Sequence, residues 1–290
     1  MKDDEGAAWR RFKIGDIEAT VVSDGFIGPF ALAGLYPKVP KEDVDALAKS
    51  EFLDPEKFVI QENCLLLNTG DQLALIDTGV GPLTLFGGGA GRLAKNLEAA
   101  GVKAEDIDAI ILTHGHADHL SGIMGKENKP FFPNAQIMVS KREFDFWTDE
   151  GKLSATGPMK VAVDCARANL LPNKDRLVFV EDGKEAIKGV QAISTPGHTP
   201  GHTSYLLSSA GANFLLTGDI AHTFVQFQHP EWEMGYDSDA VAGCGTRKRV
   251  MDMAATENLT VMVYHLPFPG IGHVARDRDA FRFVAPPVEF

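Results

Sequence analysis

Residues 113–119 read Thr113-His114-Gly115-His116-Ala117-Asp118-His119, and they directly follow an aliphatic run at residues 109–112. That run is typical of a buried strand, so the polar side chains would project from the loop at its end. Clustered imidazoles without a metal would repel one another once protonated, and each would need its own hydrogen-bond partner when buried. Imidazole and carboxylate groups are common ligands of divalent ions. The motif therefore predicts a metal site, with Gly115 permitting the turn that brings His114 and His116 onto one ion.

Three more candidate ligands lie far along the chain, each shortly after an apolar run. His198 stands in the segment Thr195-Pro196-Gly197-His198-Thr199-Pro200-Gly201-His202, whose glycines and prolines fix a loop. Asp219 ends the segment Thr217-Gly218-Asp219, and His265 follows the apolar residues 260–264. Because sites in stacked-sheet proteins collect at one edge, we expect these side chains to join the first cluster.

The composition is that of a folded protein with an acidic surface. The chain has 290 residues, 44% of them hydrophobic, with 28 Lys and Arg against 40 Asp and Glu and a formal net charge of −12. A sizeable core is therefore available, and intrinsic disorder is excluded. The acidic balance argues against a nucleic-acid partner, because a phosphate backbone requires a basic face.

The sequence contains no segment that would direct the chain to a membrane. No apolar stretch reaches the roughly 20 residues that span a bilayer, and the acidic N-terminus lacks the apolar region of a signal peptide. The default expectation is a cytoplasmic protein without a membrane partner, although a signal removed by processing would leave the same appearance.

Short apolar runs bounded by Gly, Asp, Asn or Pro recur along the whole chain and indicate strands. They lie at residues 17–22, 64–67, 73–76, 109–112, 136–139, 190–193, 205–207, 214–216 and 260–264. Helical patterns lie at residues 41–50, 92–100, 141–147 and 239–257. Several strands precede the first long helix in each half of the chain, which argues against strict βαβα alternation. The order favours an α+β fold, a four-layer αββα sandwich of two mixed sheets flanked by helices, in a single domain spanning residues 1–290.

The ordered motifs HxHxDH, PGHTPGH, TGD and a strand-end histidine resemble those of the metallo-β-lactamase-fold hydrolase superfamily. The resemblance covers most of the chain and implies a dinuclear site, usually of zinc, with manganese, cobalt or iron able to substitute. It implies one ion on His114, His116 and His198, and a second on Asp118, His119 and His265. Asp219 would bridge the two ions.

Within that superfamily the chain resembles the branch of methyl parathion hydrolase and dihydrocoumarin-type lactonases. The similar segments include Asp77-Thr78-Gly79, Leu85-Phe86-Gly87, Lys141-Arg142-Glu143, Phe146-Trp147 and His265-Leu266-Pro267-Phe268-Pro269-Gly270. The resemblance implies that Phe86 and Trp147 line the substrate pocket. It also implies a homodimer, and we expect the N-terminal extension at residues 1–14, which contains Trp9 and Phe12, to pack across its interface.

The implied chemistry is hydrolysis by a hydroxide that bridges the two ions. Asp118 is the best placed group for proton transfer, and Asp77 and His202 are predicted to support the ligands from behind. His222 stands where the parathion hydrolases of the branch have leucine and lactonases have His or Tyr. A polar N–H there could hydrogen-bond a carbonyl oxygen or protonate a leaving alkoxide. We therefore expect a small-molecule lactone or carboxylic aryl ester as substrate.

Other activities share this ligand set. The first alternative is a phosphotriesterase like methyl parathion hydrolase, with the same metals and a different pocket. The second is a thioesterase of the glyoxalase II type or a persulfide dioxygenase, which uses a single iron. The short, Pro-rich tail after His265 argues against the thioesterase, whose family ends in a helical domain. A non-catalytic module on the same fold would normally have lost ligands, and none is missing here.

Overall fold

The computed structural model describes residues 8–286, and every structural statement below concerns that part of the chain. Residues 1–7, half of the predicted N-terminal extension, lie outside the described residues. The rest of that extension forms the first strand of a sheet, and the ring of Phe12 packs 5.4 Å from that of Phe214 in the same chain. Phe12 is thus partly buried against the chain's own core, and the packing of the extension across a dimer interface stays a prediction.

Fourteen strands form two mixed seven-stranded sheets, one from each half of the chain. The first sheet contains β1 (Trp9–Ile14), β2 (Ile17–Phe30), β3 (Phe58–Asn68), β4 (Leu73–Ile76), β5 (Ala109–Ile111), β6 (Gln136–Ser140) and β7 (Leu177–Val180). The second contains β8 (Glu185–Ile187), β9 (Val190–Ser194), β10 (Thr203–Ser209), β11 (Ala212–Leu216), β12 (Thr260–Met262), β13 (Ile271–Asp277) and β14 (Ala280–Val284). The strands of the first sheet follow chain order, antiparallel from β1 to β4 and parallel from β4 to β7. In the second sheet only β11 and β12 pair in parallel.

Helices cover the outer face of each sheet. They are α1 (Lys41–Ser50), α2 (Leu93–Ala99), α3 (Ala117–Leu120), α4 (Lys141–Thr148), α5 (Gly157–Leu170), α6 (Val225–Gln228) and α7 (Ala240–Thr256). One apolar cluster fills the space between the sheets, a second lies between the first sheet and α5, and a third lies between the second sheet and α7. This arrangement confirms the predicted four-layer sandwich. No helix among the described residues is long and apolar enough to cross a membrane.

The structure differs from the predicted elements mainly in length. Strand β2 continues to Phe30, well past the predicted end at residue 22, because two register shifts against β3 accommodate its glycines and Pro29. Helix α5 was not predicted. Its buried side chains Val163, Ala166 and Leu170 recur at helical spacing, but they are too few and too small to give a clear apolar stripe.

Candidate metal centre

The seven predicted ligands converge where the loops that follow β5, β9, β11 and β12 meet. Their common point is Oδ2 of Asp219, which lies on a short 3₁₀ turn after β11. The Nε2 atoms around it are those of His265 at 3.1 Å, His119 at 3.2 Å, His198 at 3.3 Å and His114 at 3.7 Å. Four segments from both sheets therefore contribute to one site.

The converging atoms separate into the two groups that the resemblance implies. One atom each from His114, His116 and His198 lies within 4.8 Å of the others, and the same holds for Asp118, His119 and His265. Asp219 forms a further group with His114 from the first set and His119 from the second, so its carboxylate lies between the two sets. His116 and Asp118 are partly exposed while the other members are buried, so the site opens to solvent on their side.

The donor set fits a dinuclear divalent metal centre. Among the described residues, Nε2 of His119 and Oδ1 of Asp219 are buried and have no hydrogen-bond partner. A buried polar atom left unpaired costs about 1–3 kcal/mol, and coordination of a cation would remove that penalty. The set of imidazole nitrogens and carboxylate oxygens suits zinc and its neighbours in the first transition row.

Burial and charge act differently on the two histidine groups. Burial lowers the pKa of His116 to about 4 and lowers the pKa of His114 and His198 well below the usual value, so these imidazoles are neutral at pH 7. Burial also opposes protonation of His119 and His265, but nearby carboxylates outweigh it and raise the pKa of both well above the usual value. The second group therefore lies in the more negative environment.

Local packing explains the arrangement of the motif at residues 113–119. Helix α3 begins immediately after His116, so Asp118 and His119 project from its first turn. Gly115 has no positive φ, and its role is space: a Cβ atom there would overlap the indole of Trp147. The expected conformational role of Gly115 is therefore replaced by a packing role.

The two residues predicted to support the ligands contact the cluster in different ways. Oδ2 of Asp77 lies 2.8 Å from Nδ1 of His119, and Asp77 also accepts hydrogen bonds from the backbone N–H and hydroxyl of Thr113. His202 instead contacts the main chain at Asp219. Its Nε2 accepts a hydrogen bond from the backbone N–H of Asp219 at 2.9 Å. Asp77 thus orients an imidazole, and His202 holds the turn that carries Asp219.

Two buried carboxylates at the site were missed by sequence reasoning. Oδ1 of Asp237 lies 2.9 Å from Nδ1 of His198, and its other oxygen lies 3.5 Å from the guanidinium of Arg247. Burial raises the pKa of Asp237 to about 7. Glu62 lies behind His265, and burial raises the pKa of its carboxyl to about 8. Neither residue belongs to a motif, so the sequence offered no signal for them.

Glu143, whose role was not predicted, ties the two histidine loops together. Its Oε1 accepts hydrogen bonds from the backbone N–H of Gly115 and from the indole N–H of Trp147. Its Oε2 accepts hydrogen bonds from the hydroxyl of Thr199 and the backbone N–H of Gly201, each at 2.8 Å. Four donors on one buried carboxylate fix the first motif relative to the PGHTPGH loop.

Tyr264 supports the second ligand group from behind. Its ring packs 4.0 Å from that of His119, and its hydroxyl donates to the backbone oxygen of Asp118 at 3.0 Å. Its position directly before His265 was the only available sign of this role.

The two aromatic residues predicted to line the pocket lie in different environments. Trp147 is 0% exposed, and its ring packs edge-on against His116 with the centroids 5.3 Å apart. It packs in the core between the first sheet and α5, and its place in the substrate pocket stays a prediction. Phe86 is half-buried on the loop that follows β4, and its place in the pocket stays a prediction.

His222 lies inside the cluster. Its Nε2 lies 3.2 Å from Oδ2 of Asp219, its Nδ1 is buried without a partner, and its side chain is 4% exposed. Burial lowers the pKa of His222, so the ring is neutral at pH 7. Together with His198 and Asp219 it forms a group compact enough to hold an ion, which sequence reasoning did not anticipate.

The fold and the histidine-rich centre define a metal-dependent hydrolase, and comparison with known sequences identifies its family. The chain belongs to the metallo-beta-lactamase superfamily, whose sequence profile matches residues 58–247. The superfamily resemblance drawn from the motifs is thereby confirmed.

Relatives of similar sequence and structure include several lactonases. N-acyl homoserine lactonases of Bacillus sp. and Bacillus cereus are 29% and 28% identical over 220 residues, which cover 70% of this chain and 80% of each relative. The dizinc quorum-quenching lactonase AidC, solved with the product N-hexanoyl-L-homoserine, is 28% identical and superimposes with a TM-score of 0.88 over 99% of this chain and 100% of its own. The hydrolase AbOPH of the beta lactamase superfamily is 32% identical, with a TM-score of 0.90 over the same coverage.

Proposed function

We propose that the protein is a dinuclear metal hydrolase that opens lactone rings, with carboxylic aryl esters as related substrates. The observation that carries the proposal is the convergence of five histidine nitrogens within 3.7 Å of one carboxylate oxygen, Oδ2 of Asp219. Similarity to N-acyl homoserine lactonases and to dizinc AidC supports the substrate class.

We propose zinc at both positions, because the ligand set is rich in imidazole. His114, His116 and His198 would hold one ion. Asp118, His119 and His265 would hold the other, with Asp219 between them. When bound, the ions would supply a water activated at neutral pH and a Lewis acid for the substrate's carbonyl oxygen.

His222 would act on the substrate's carbonyl group. Its Nε2 points toward the central carboxylate, and a neutral ring protonated at Nε2 could donate a hydrogen bond to the carbonyl oxygen. Such a donor is most useful where negative charge develops, as it does on the oxygen of a lactone under attack. A neutral aryl phosphotriester gains less from it, which favours the lactone over the phosphotriester.

Asp118 would move the proton that the leaving alkoxide needs. Its carboxylate is 15% exposed at the open side of the site, and Oδ2 lies 3.7 Å from Nε2 of both His119 and His265. It can therefore coordinate an ion through one oxygen while the other faces the substrate side. As the water-derived oxygen bonds to the carbonyl carbon, Asp118 would accept its proton, and it would pass that proton to the ring oxygen as the acyl C–O bond breaks, which gives the hydroxy acid.

A substrate panel on purified, metal-analysed protein tests the proposal. It should contain an acyl-homoserine lactone, an aromatic lactone, an aryl ester and a phosphotriester, each measured with and without prior removal of metal by a chelator. We expect the highest kcat/KM on a lactone, loss of activity after chelation, and recovery with zinc. Highest kcat/KM on the phosphotriester would favour the first alternative. A protein purified with one iron and no zinc would favour the dioxygenase.

A further inference from the structure

Glu62 is a buried carboxylate beside the metal centre for which the proposed chemistry has no use. It lies on β3 with a side chain that is 0% exposed, and its Oε1 lies 3.3 Å from Nδ1 of His265. The same Nδ1 donates to the backbone oxygen of Gln61 at 2.9 Å. Neither carboxylate oxygen of Glu62 has a hydrogen-bond partner among the described residues.

The other carboxylates around the site are compensated by the protein itself. Asp77 accepts two hydrogen bonds from Thr113, Asp237 lies beside the guanidinium of Arg247, and Glu143 accepts four hydrogen bonds. Glu62 differs from all three, because neither of its oxygens accepts a hydrogen bond from the described residues.

A buried carboxylate whose oxygens accept no hydrogen bond is unfavourable for the fold. Burying a charge without partners is costly, and a buried neutral carboxyl group without partners also loses its hydrogen bonds to water. Repulsion from the nearby carboxylate of Asp118 offsets part of the attraction that the imidazoles of His265 and His119 exert on Glu62. In the described chain the imidazole of His265 is the ion-pair partner of Glu62, and two divalent ions bound on the far side of that ring would add positive charge to the same region.

We propose that Glu62 is a positioning residue whose charge is balanced by the bound metal ions. Through His265 it would hold the imidazole with Nε2 toward the ion and strengthen its binding, and in the metal-free protein it would destabilise the fold. The inference rests on the proposed metal-dependent function, but it concerns metal binding and folding, and it is independent of which substrate is hydrolysed.

The proposal predicts effects of opposite sign in two measurements. Glu62→Leu fills the space with an apolar side chain, so the metal-free variant should unfold at a higher urea concentration than the metal-free wild type. The same substitution should weaken binding of one of the two ions about 10–100-fold, the usual effect of removing a group that orients a ligand. Glu62→Gln keeps the shape of the side chain and removes its charge. It should weaken binding of the same ion, also by about 10–100-fold.

The full chain is first stripped of metal by a chelator. Its zinc affinity is then measured by titration against a chromophoric competitor, and urea unfolding is followed for the metal-free and the zinc-loaded forms. Glu143→Gln is the matched control. It removes acceptors from a fully paired buried carboxylate and should lower the urea midpoint of both forms. Unchanged zinc affinity in both Glu62 variants would overturn the proposal. So would a metal-free Glu62→Leu protein that unfolds earlier than the wild type.

The outcome is separable from the fate of the proposed lactonase activity. If the zinc titration behaves as expected while the substrate panel shows no lactone hydrolysis, the function is wrong and the role of Glu62 holds. If lactones are hydrolysed while both variants bind zinc like the wild type, the role of Glu62 is wrong and the function holds. Should Glu62→Leu fail to fold, the Glu62→Gln titration alone decides the question.

Discussion

The imidazole of His222 lies parallel to that of His265, with ring centroids 5.1 Å apart and planes inclined by 13°. Both rings direct Nε2 at Oδ2 of Asp219, at 3.2 Å and 3.1 Å. One ring is a proposed metal ligand, and the other is the proposed donor to the substrate. Their shared orientation toward one oxygen places the proposed donor next to the proposed ligand.

Replacing His222 with leucine should separate two classes of substrate. We expect His222→Leu to lower kcat/KM for lactones by about 10²–10⁴-fold, the usual range for a lost proton donor at the reacting group. Turnover of a phosphotriester should fall less, because the apolar side chain leaves room for an aryl group. The ratio of the two activities is the measurement, with metal content determined on the same sample. An unchanged ratio would remove the preference for a lactone, and loss of an ion would make His222 a ligand.

Removing the central carboxylate should remove the metals. Because Oδ2 of Asp219 is the atom on which the histidine nitrogens converge, Asp219→Ala should lose at least one ion per chain and most hydrolytic activity. Elemental analysis after dialysis gives the metal content. Asp71→Ala is the control, since Asp71 is exposed and paired with Lys188 on the surface. Full metal content in Asp219→Ala would contradict the assigned centre.

Gly115 and Trp147 should be energetically coupled. A methyl group at Gly115 would overlap the buried indole, so Gly115→Ala should reduce the free energy of unfolding and displace His114 and His116. Trp147→Leu makes room for that methyl group, and the double variant should be more stable than the sum of the single changes implies. A double-mutant cycle by urea unfolding should give a coupling energy within about 0.5–3 kcal/mol. Simple additivity would mean that Gly115 is not retained for space.

Phe86 is the more exposed of the two candidates for an aromatic wall of the pocket. Because it is half-buried on a loop, Phe86→Ala should leave the fold and the metal content intact. We expect it to lower kcat/KM for aromatic lactones by the equivalent of roughly 1–3 kcal/mol of transition-state stabilisation, with a smaller effect on substrates without an aromatic ring. Equal loss on both substrate types, or a lower unfolding midpoint with normal kinetics, would place Phe86 in the core.

Asp24 should give the stability a recognisable dependence on pH. Its oxygens accept the backbone N–H groups of Val80, Gly91 and Leu93, and so anchor the loop that carries Phe86. Burial raises the pKa of Asp24 above its ordinary value of 3.8, against the opposing effect of these hydrogen bonds. The folded state therefore binds the proton more tightly than the unfolded state, and stability is lost as pH rises from about 3.8 through the folded-state pKa.

Asp24→Asn isolates this contribution, because asparagine does not titrate. Urea unfolding of both proteins across a pH series should show the wild type losing stability relative to Asp24→Asn as pH rises. At low pH the wild-type carboxyl group is protonated and, like the amide, has one strong acceptor oxygen, so the two proteins should be of similar stability there. A difference that stays constant with pH would contradict the raised pKa of Asp24.

Elements and site residues could be predicted from the sequence where a local pattern of residues determines them. The strand at Leu73–Ile76 and the helix at Lys41–Ser50 were predicted with their observed ends, because apolar alternation and flanking turn residues are local signals. The candidate ligands were predicted because they stand in dense motifs or directly after strands. Glu62 and Glu143 could not be predicted, since their partners are distant in sequence and adjacent only after folding. The complete burial of Trp147 could not be predicted, because a pattern of aromatic residues does not indicate which neighbour each ring contacts.

The division of the centre between the two sheets has a consequence for folding kinetics. His114, His116, Asp118 and His119 follow a strand of the first sheet, whereas His198, Asp219 and His265 follow strands of the second. Neither half of the chain can assemble the centre alone, so a refolding chain gains tight metal binding only after its sheets have docked. Zinc uptake during refolding should therefore follow the slow, long-range step of assembly and lag behind the recovery of secondary structure.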